Sequence, residues 1–271
     1  MTSPAHDFPR EIAPGIHWLG ACSENTLRGE VVHVHLGQYL VIGDDKTLLI
    51  DTGMPNFWPT VSAQLDQALA GRTLDYLMPT HPEVPHVSAL PYILRKYPAC
   101  RLIGDSRDYQ LYFPSHFPTM IHRSPGDEID LGGKTLVFLQ ALMKDLPNTL
   151  WAYEKSTQVL FVCDGFAFMH AGAEMAEPEE EADATHRPGE CALFTSEMAA
   201  DVDVNRASFI LQRALYWSRY VDADVLFRRI DRMIEQYPAR LIAPAHGNVI
   251  DNPAAVFPTI RKAHEEANSS A

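Results

Sequence analysis

The segment Thr80-His81-Pro82-Glu83-Val84-Pro85-His86 places two imidazoles and a carboxylate within six residues, directly after an apolar run. Imidazole and carboxylate at that density is donor chemistry for a metal ion. Three other apolar runs end in comparable groups: Leu48-Leu49-Ile50 in Asp51-Thr52-Gly53, Leu160-Phe161-Val162 in Cys163-Asp164-Gly165, and Leu241-Ile242-Ala243 in Pro244-Ala245-His246-Gly247. Four strand ends thus deliver His, Glu, Asp and a further His towards one place. For Asp51 the reading is an anchor for the loop backbone, not a ligand. For Cys163 it is a small buried hydrophobe.

The elements that must position these groups follow from pattern. Residues 15–20, 30–36, 38–42 and 47–50 read as successive strands of a meander with Gly and Asp turns. Apolar residues at helical spacing mark helices over 59–70, 88–97, 204–220 and 223–236, with shorter ones at 106–112 and after Pro253. Further strands are expected at 74–78, 101–104, 135–140, 159–163 and 241–244, the third entered from a turn-rich hairpin at 126–134. The acidic run 174–181 has no apolar face and reads as an exposed loop.

The chain has 271 residues, 46% hydrophobic and 21% charged, and no linker composition divides it, so one domain over 1–271 is expected. With 35 acidic against 22 basic residues the net charge is −13, which argues against a nucleic-acid partner. No run approaches the roughly 18 apolar residues of a membrane span, and the first residues lack a signal-peptide pattern, so a cytoplasmic protein without a membrane partner is expected. Cys22, Cys100, Cys163 and Cys191 form no CxxC pair, and thiols are expected.

This order of motifs resembles the metallo-β-lactamase fold, and within it the lactamase-like domain of flavodiiron proteins and stand-alone oxygen-binding diiron proteins. The flavodiiron pattern is His-x-Glu-x-Asp-His, whereas most hydrolases of the fold carry His-x-His-x-Asp-His, and Glu83 stands where the hydrolases have the second His. The likeness extends through residues 88–92, 126–136, 146–153 and 160–166. It implies a four-layer αββα sandwich of α/β class, and two iron ions, with zinc or manganese as alternatives. One ion would be held by His81, Glu83, Asp145 and a bridging Asp164, the other by His86, Asp164 and His246. This chain departs from the pattern twice: Pro85 replaces the motif Asp, and Asp145 replaces a His. His170, six residues after Asp164, is a candidate catalytic residue for orienting a bound gas. His33 and His35, alternating on one strand, read as structural.

By the same resemblance the function is binding or activation of O2 or NO as a small-molecule ligand, with electrons from an external redox partner. No FMN and no flavodoxin domain are expected within the chain, and a homodimer is an open assembly. The alternatives are a metal-dependent hydrolase and a degenerate, non-catalytic member of the superfamily.

Overall fold

The computed structural model describes residues 8–171 and 190–269. The acidic run 174–181 lies outside the described residues. Seven strands follow one another across the first sheet: β1 (Arg10–Ala13), β2 (Ile16–Leu27), β3 (Glu30–Ile42), β4 (Thr47–Ile50), β5 (Tyr76–Met78), β6 (Arg101–Gly104) and β7 (Ile121–His122). The second sheet is built from β8 (Glu128–Asp130), β9 (Thr135–Gln140), β10 (Leu150–Glu154) and β11 (Val159–Cys163). The short β12 (His170–Ala171) returns to pair with β3, and β13 (Leu241–Pro244) completes the second sheet beside β11.

Alternation along the strands sorts the side chains into layers, because successive residues face opposite sides of a sheet. Leu48 and Ile50 of β4 join Trp18, Tyr39 and Met78 against Phe138, Ala152 and Phe161 of the second sheet. Leu49, between them, faces outward with Leu40 and Leu77 onto α1 (Trp58–Leu69), through Val61, Leu65 and Leu69. A single turn α2 (Val84–Val87) and α3 (Leu90–Lys96) follow, Leu90 and Ile93 covering the same face. The turn α4 (Tyr109–Tyr112) comes after β6. The outer face of the second sheet, with Trp151, Leu160 and Val162, is covered by α5 (Val204–Arg213), α6 (Ala223–Gln236) and α7 (Pro253–Ser269). Helix, sheet, sheet, helix is the expected four-layer αββα order. No helix among the described residues is long and apolar enough to cross a membrane.

Three expectations need correction. The strands expected at 30–36 and 38–42 are one strand, β3, running through Gly37. That glycine marks a close approach, not a turn: its N–H donates to the Ala245 carbonyl at 2.7 Å, and a Cβ there would lie 3.2 Å from Trp18 Nε1 and 3.3 Å from that carbonyl. The helix expected over 204–220 ends at Arg213, and Tyr216–Tyr220 form a separate 3-10 turn, from which the Trp217 indole reaches the Lys144 carbonyl. The helix expected over 106–112 shrinks to α4, whose preceding residue Asp108 has a left-handed backbone (φ 67°).

His264 on α7 is buried, its ring edge-on to Phe227, and neither nitrogen finds a hydrogen-bond partner among the described residues. Burial pushes it down from 6.5 to about 4. A lowered folded value means the unfolded chain takes the proton first, so stability is lost as pH falls from 6.5 through about 4. At about 1.4 kcal/mol per unit the full loss is about 3 kcal/mol. Metal-free His264→Leu should therefore lose less stability than metal-free wild type between neutral pH and about pH 4, read by urea unfolding. Equal losses in the two proteins would remove His264 as the cause.

Candidate metal centre

β4 and β5 are parallel neighbours in one sheet, and β11 and β13 in the other. Parallel strands bring their C-terminal ends to one rim, so the residues following all four meet where the sheets face each other. Main-chain bonds between the loops fix the meeting: Leu150 N–H to Thr80 O at 3.0 Å, Thr52 N–H to His86 O at 3.0 Å, and Ala245 N–H to Cys163 O at 2.7 Å. Asp51 and Cys163 both take left-handed backbone, φ 62° and 51°, where the strands break towards the rim. For residues with a Cβ that conformation costs on the order of 1 kcal/mol and persists only where the surroundings impose it. At Gly165 no side chain is tolerated, since a Cβ would sit 2.5 Å from the Trp151 ring.

The side chains converge on Asp164, which is 1% exposed. Its Oδ2 lies 3.5 Å from His81 Nε2, and its Oδ1 lies 3.2 Å from both His86 Nε2 and His246 Nε2. Around His81 Nε2 stand Asp145 Oδ1 at 3.2 Å and Glu83 Oε2 at 3.6 Å, and the same Glu83 oxygen is 3.8 Å from His86 Nε2. Glu83 is the most exposed of the group, its side chain 43% accessible against 12% for Asp145. Asp145 also edges a cleft with Lys144, Trp217 and Arg229.

The far ring nitrogens decide which way each imidazole faces. His246 Nδ1 is 3.0 Å from the His35 carbonyl, which can only accept, so Nδ1 carries the proton. His86 Nδ1 lies 2.8 Å from Asp51 Oδ2 and donates to it. Asp51 Oδ1 accepts from Thr80 N–H at 2.7 Å and Thr80 Oγ1 at 2.8 Å, so one carboxylate fixes both the loop backbone and the ring. His81 Nδ1 faces Cys163 Sγ at 3.1 Å and Thr80 Oγ1 at 3.3 Å. In the neutral rings Nε2 of His86 and Nε2 of His246 therefore present lone pairs to carboxylate oxygens that are also lone-pair donors. His81 Nε2, His86 Nε2, Asp145 Oδ1 and Asp164 Oδ1 are all buried without a hydrogen-bond partner among the described residues. Orphaned acceptors pointing at one another call for a cation between them.

The charge balance says the same. Burial disfavours the charged forms of His81 and His86, but the Cys163 sulfur and the Asp51, Asp145 and Asp164 carboxylates outweigh it, and both rings are held well above the usual imidazole value. Asp164 is likewise buried, which would raise it, yet the His86 and His81 rings hold it well below the usual carboxylate value.

His81, Glu83, His86, Asp145, Asp164 and His246 are thus brought together. His170 is not among them: β12 pairs with β3 at His170↔His33, and its Nε2 lies against Cys22 Sγ at 3.6 Å and Cys191 Sγ at 3.4 Å. Pro85 occupies the N-terminal turn of α2, where its fixed φ favours the turn that folds His86 N–H back to Glu83 O at 3.0 Å. Sequence reasoning missed the ring of His86 as the partner of Asp51, the carbonyl of His35, and the sulfur of Cys163. For the last, adjacency to Asp164 was the available signal.

Known proteins are similar to this chain in sequence and fold. Coenzyme F420H(2) oxidase of Methanocaldococcus jannaschii is 23% identical over 270 residues, covering 91% of this chain and 58% of that protein. Nitric oxide reductase of Moorella thermoacetica is 30% identical over 168 residues, covering 58% of this chain and 42% of that protein. The chain thus spans 58% or less of the length of these two relatives. Among solved structures, rubredoxin oxygen:oxidoreductase from Desulfovibrio gigas superposes with a TM-score of 0.67 at 21% identity, covering 95% of this chain and 61% of that one. At that identity the likeness shows the fold. The family profile described as ODP family beta lactamase matches residues 34–247, a span that runs from β3 past His246 and takes in every residue around Asp164. The chain belongs to the ODP family of beta-lactamase-fold proteins.

Proposed function

We propose that the chain is a diiron protein that binds and reduces O2 or NO with electrons from an external donor. The observation that carries this is the shared carboxylate of Asp164, one oxygen towards His81 and the other towards His86 and His246, with buried lone pairs facing inward on both sides. His81, Glu83, Asp145 and Asp164 would hold one iron, and His86, Asp164 and His246 the other. A donor set of three imidazoles and three carboxylates without sulfur in line suits iron or manganese. That the curated relatives include an F420H(2) oxidase and a nitric oxide reductase supports the same reading.

Two iron ions, when bound, would supply the Lewis acidity and pass electrons from the external donor to a diatomic oxidant. The protein's own part is orientation and charge. Asp51 and the His35 carbonyl accept hydrogen bonds from the Nδ1–H groups of His86 and His246, which fixes the tautomer and leaves Nε2 free to coordinate. Asp164, Asp145 and Glu83 offset the dications, and the four layers bury every member except Glu83 and Asp145, which form the rim. Pro85 contributes no donor, so the His86 side carries one carboxylate fewer than the flavodiiron pattern implies.

The test is metal analysis of protein purified without oxygen, followed by O2 and NO uptake by the reduced protein with a supplied electron donor. Two irons per chain and consumption of either gas are expected. Zinc as the native ion, with no uptake of either gas, would overturn the proposal in favour of hydrolysis.

Asp51→Ala removes the acceptor of His86 and two bonds from Thr80 while leaving every donor to the metals in place. It should weaken metal binding by about 10 to 100-fold, the usual cost of losing an orienting partner. Competition against a chelator measures this. An affinity equal to wild type would mean that His86 does not depend on Asp51.

A further inference from the structure

A second cluster lies where β3 pairs with β2 and β12. Cys22 on β2 pairs opposite His35, and His170 on β12 pairs opposite His33, so the diagonal neighbours Cys22, His33 and His170 come together across three strands. Cys191, 21 residues beyond His170, completes the group. All four are buried, at 4%, 2%, 0% and 3% exposure, and one donor atom of each lies within 4.8 Å of the others.

We propose that Cys22, His33, His170 and Cys191 form a tetrahedral zinc site distinct from the centre around Asp164. His33 Nδ1 is 3.0 Å from Cys191 Sγ, His170 Nε2 is 3.4 Å from Cys191 Sγ, and Cys22 Sγ is 3.6 Å from His170 Nε2. Bonds of about 2.3 Å to sulfur and about 2.05 Å to nitrogen, at the tetrahedral angle, make each S···N edge about 3.6 Å. Two of the three edges already match, and the third needs an outward movement of about half an ångström. Two thiolates and two imidazoles without a carboxylate in the set is a donor composition that selects zinc over iron in an oxygen-ligated site. A pair of thiols alone would suggest a disulfide, but a disulfide gives the two buried imidazoles nothing to bind.

The surroundings are built as an outer shell. Glu24 Oε2 stands 4.0 Å from His33 Nε2, on the side away from Cys191. His35 Nδ1 lies 3.2 Å from Cys22 Sγ, and its ring is stacked on Phe8 and edge-on to Trp18. The carbonyl of the same His35 accepts from His246. A filled site would therefore brace the strand that orients a residue of the other centre, and would tie the chain before and after residues 172–189 to β2 and β3.

The full-length chain, stripped of metal under reducing conditions and reloaded with two equivalents of ferrous iron, would be titrated with cobalt(II). One equivalent should give a thiolate-to-cobalt charge-transfer band with intense tetrahedral d–d bands, and zinc should bleach both. The bands should be lost in Cys22→Ser and in Cys191→Ser, whose iron content stays at two, and retained in Cys163→Ser, which removes the sulfur beside His81. The wild-type titration decides even where a serine variant fails to fold. Absence of the band in wild type, its loss in Cys163→Ser, or a Cys22–Cys191 disulfide in peptide maps of the unreduced protein would each overturn the proposal. Because the readout is sulfur ligation, it stands or falls separately from the diiron reading.

Discussion

Asp164→Ala should release both irons. The two oxygens of this one side chain face His81 on one side and His86 and His246 on the other, so no half of the centre survives its removal. The variant also leaves three imidazoles converging without the one carboxylate among the described residues that faces all of them. The fall in affinity should exceed the roughly 100-fold upper limit seen for outer partners, because a shared ligand is lost and not its support. Iron content per chain should drop from two to near zero, with the circular dichroism spectrum unchanged. His17→Ala, on β2 and away from the rim, should keep both irons and serves as the control. Retention of two irons by Asp164→Ala would mean that the metals lie elsewhere.

Asp145→Ala should cost one iron only. Its carboxylate reaches His81 at 3.2 Å, whereas His86, Asp164 and His246 hold their mutual distances without it. Iron content should fall from two to about one, and gas uptake that needs both ions should fall with it. Asp145→His restores a neutral donor at the position where the flavodiiron pattern has one, and should recover the second iron. Loss of both irons in Asp145→Ala would show that the halves fill cooperatively. Loss of neither would reduce Asp145 to an edge of the cleft it shares with Lys144 and Arg229.

Much of this centre is legible in the chain because it sits at strand ends. An apolar run of four or five residues followed by His, Asp or Gly states locally that a buried strand stops and a polar group begins, and parallel neighbours then bring such ends together. His81, Glu83, His86, Asp164 and His246 can be read that way, and the Asp-Thr-Gly after β4 identifies Asp51 as an anchor. The same local logic gives α1, α6, β6, β9, β11 and β13 to within about two residues. Where it fails, a long-range contact overrides the local signal. Gly37 looks like a turn but is the point where the loop of His246 touches β3, and the helix after Val204 stops at Arg213, before the turn from which Trp217 bonds to Lys144.

The sequence by itself thus determined the layers, the rim and the donor types of one centre, since period-2 and period-3.6 burial and strand-end chemistry are local properties. The tertiary structure decided the direction of each imidazole, because a ring's tautomer depends on what meets its far nitrogen: Asp51 for His86, a carbonyl 211 residues away for His246. It also decided where His170 belongs. Nothing in the spacing of positions 22, 33, 170 and 191 signals a cluster; only the pairing of β2 and β12 on the two sides of β3 puts two thiols and two imidazoles within one ion's reach.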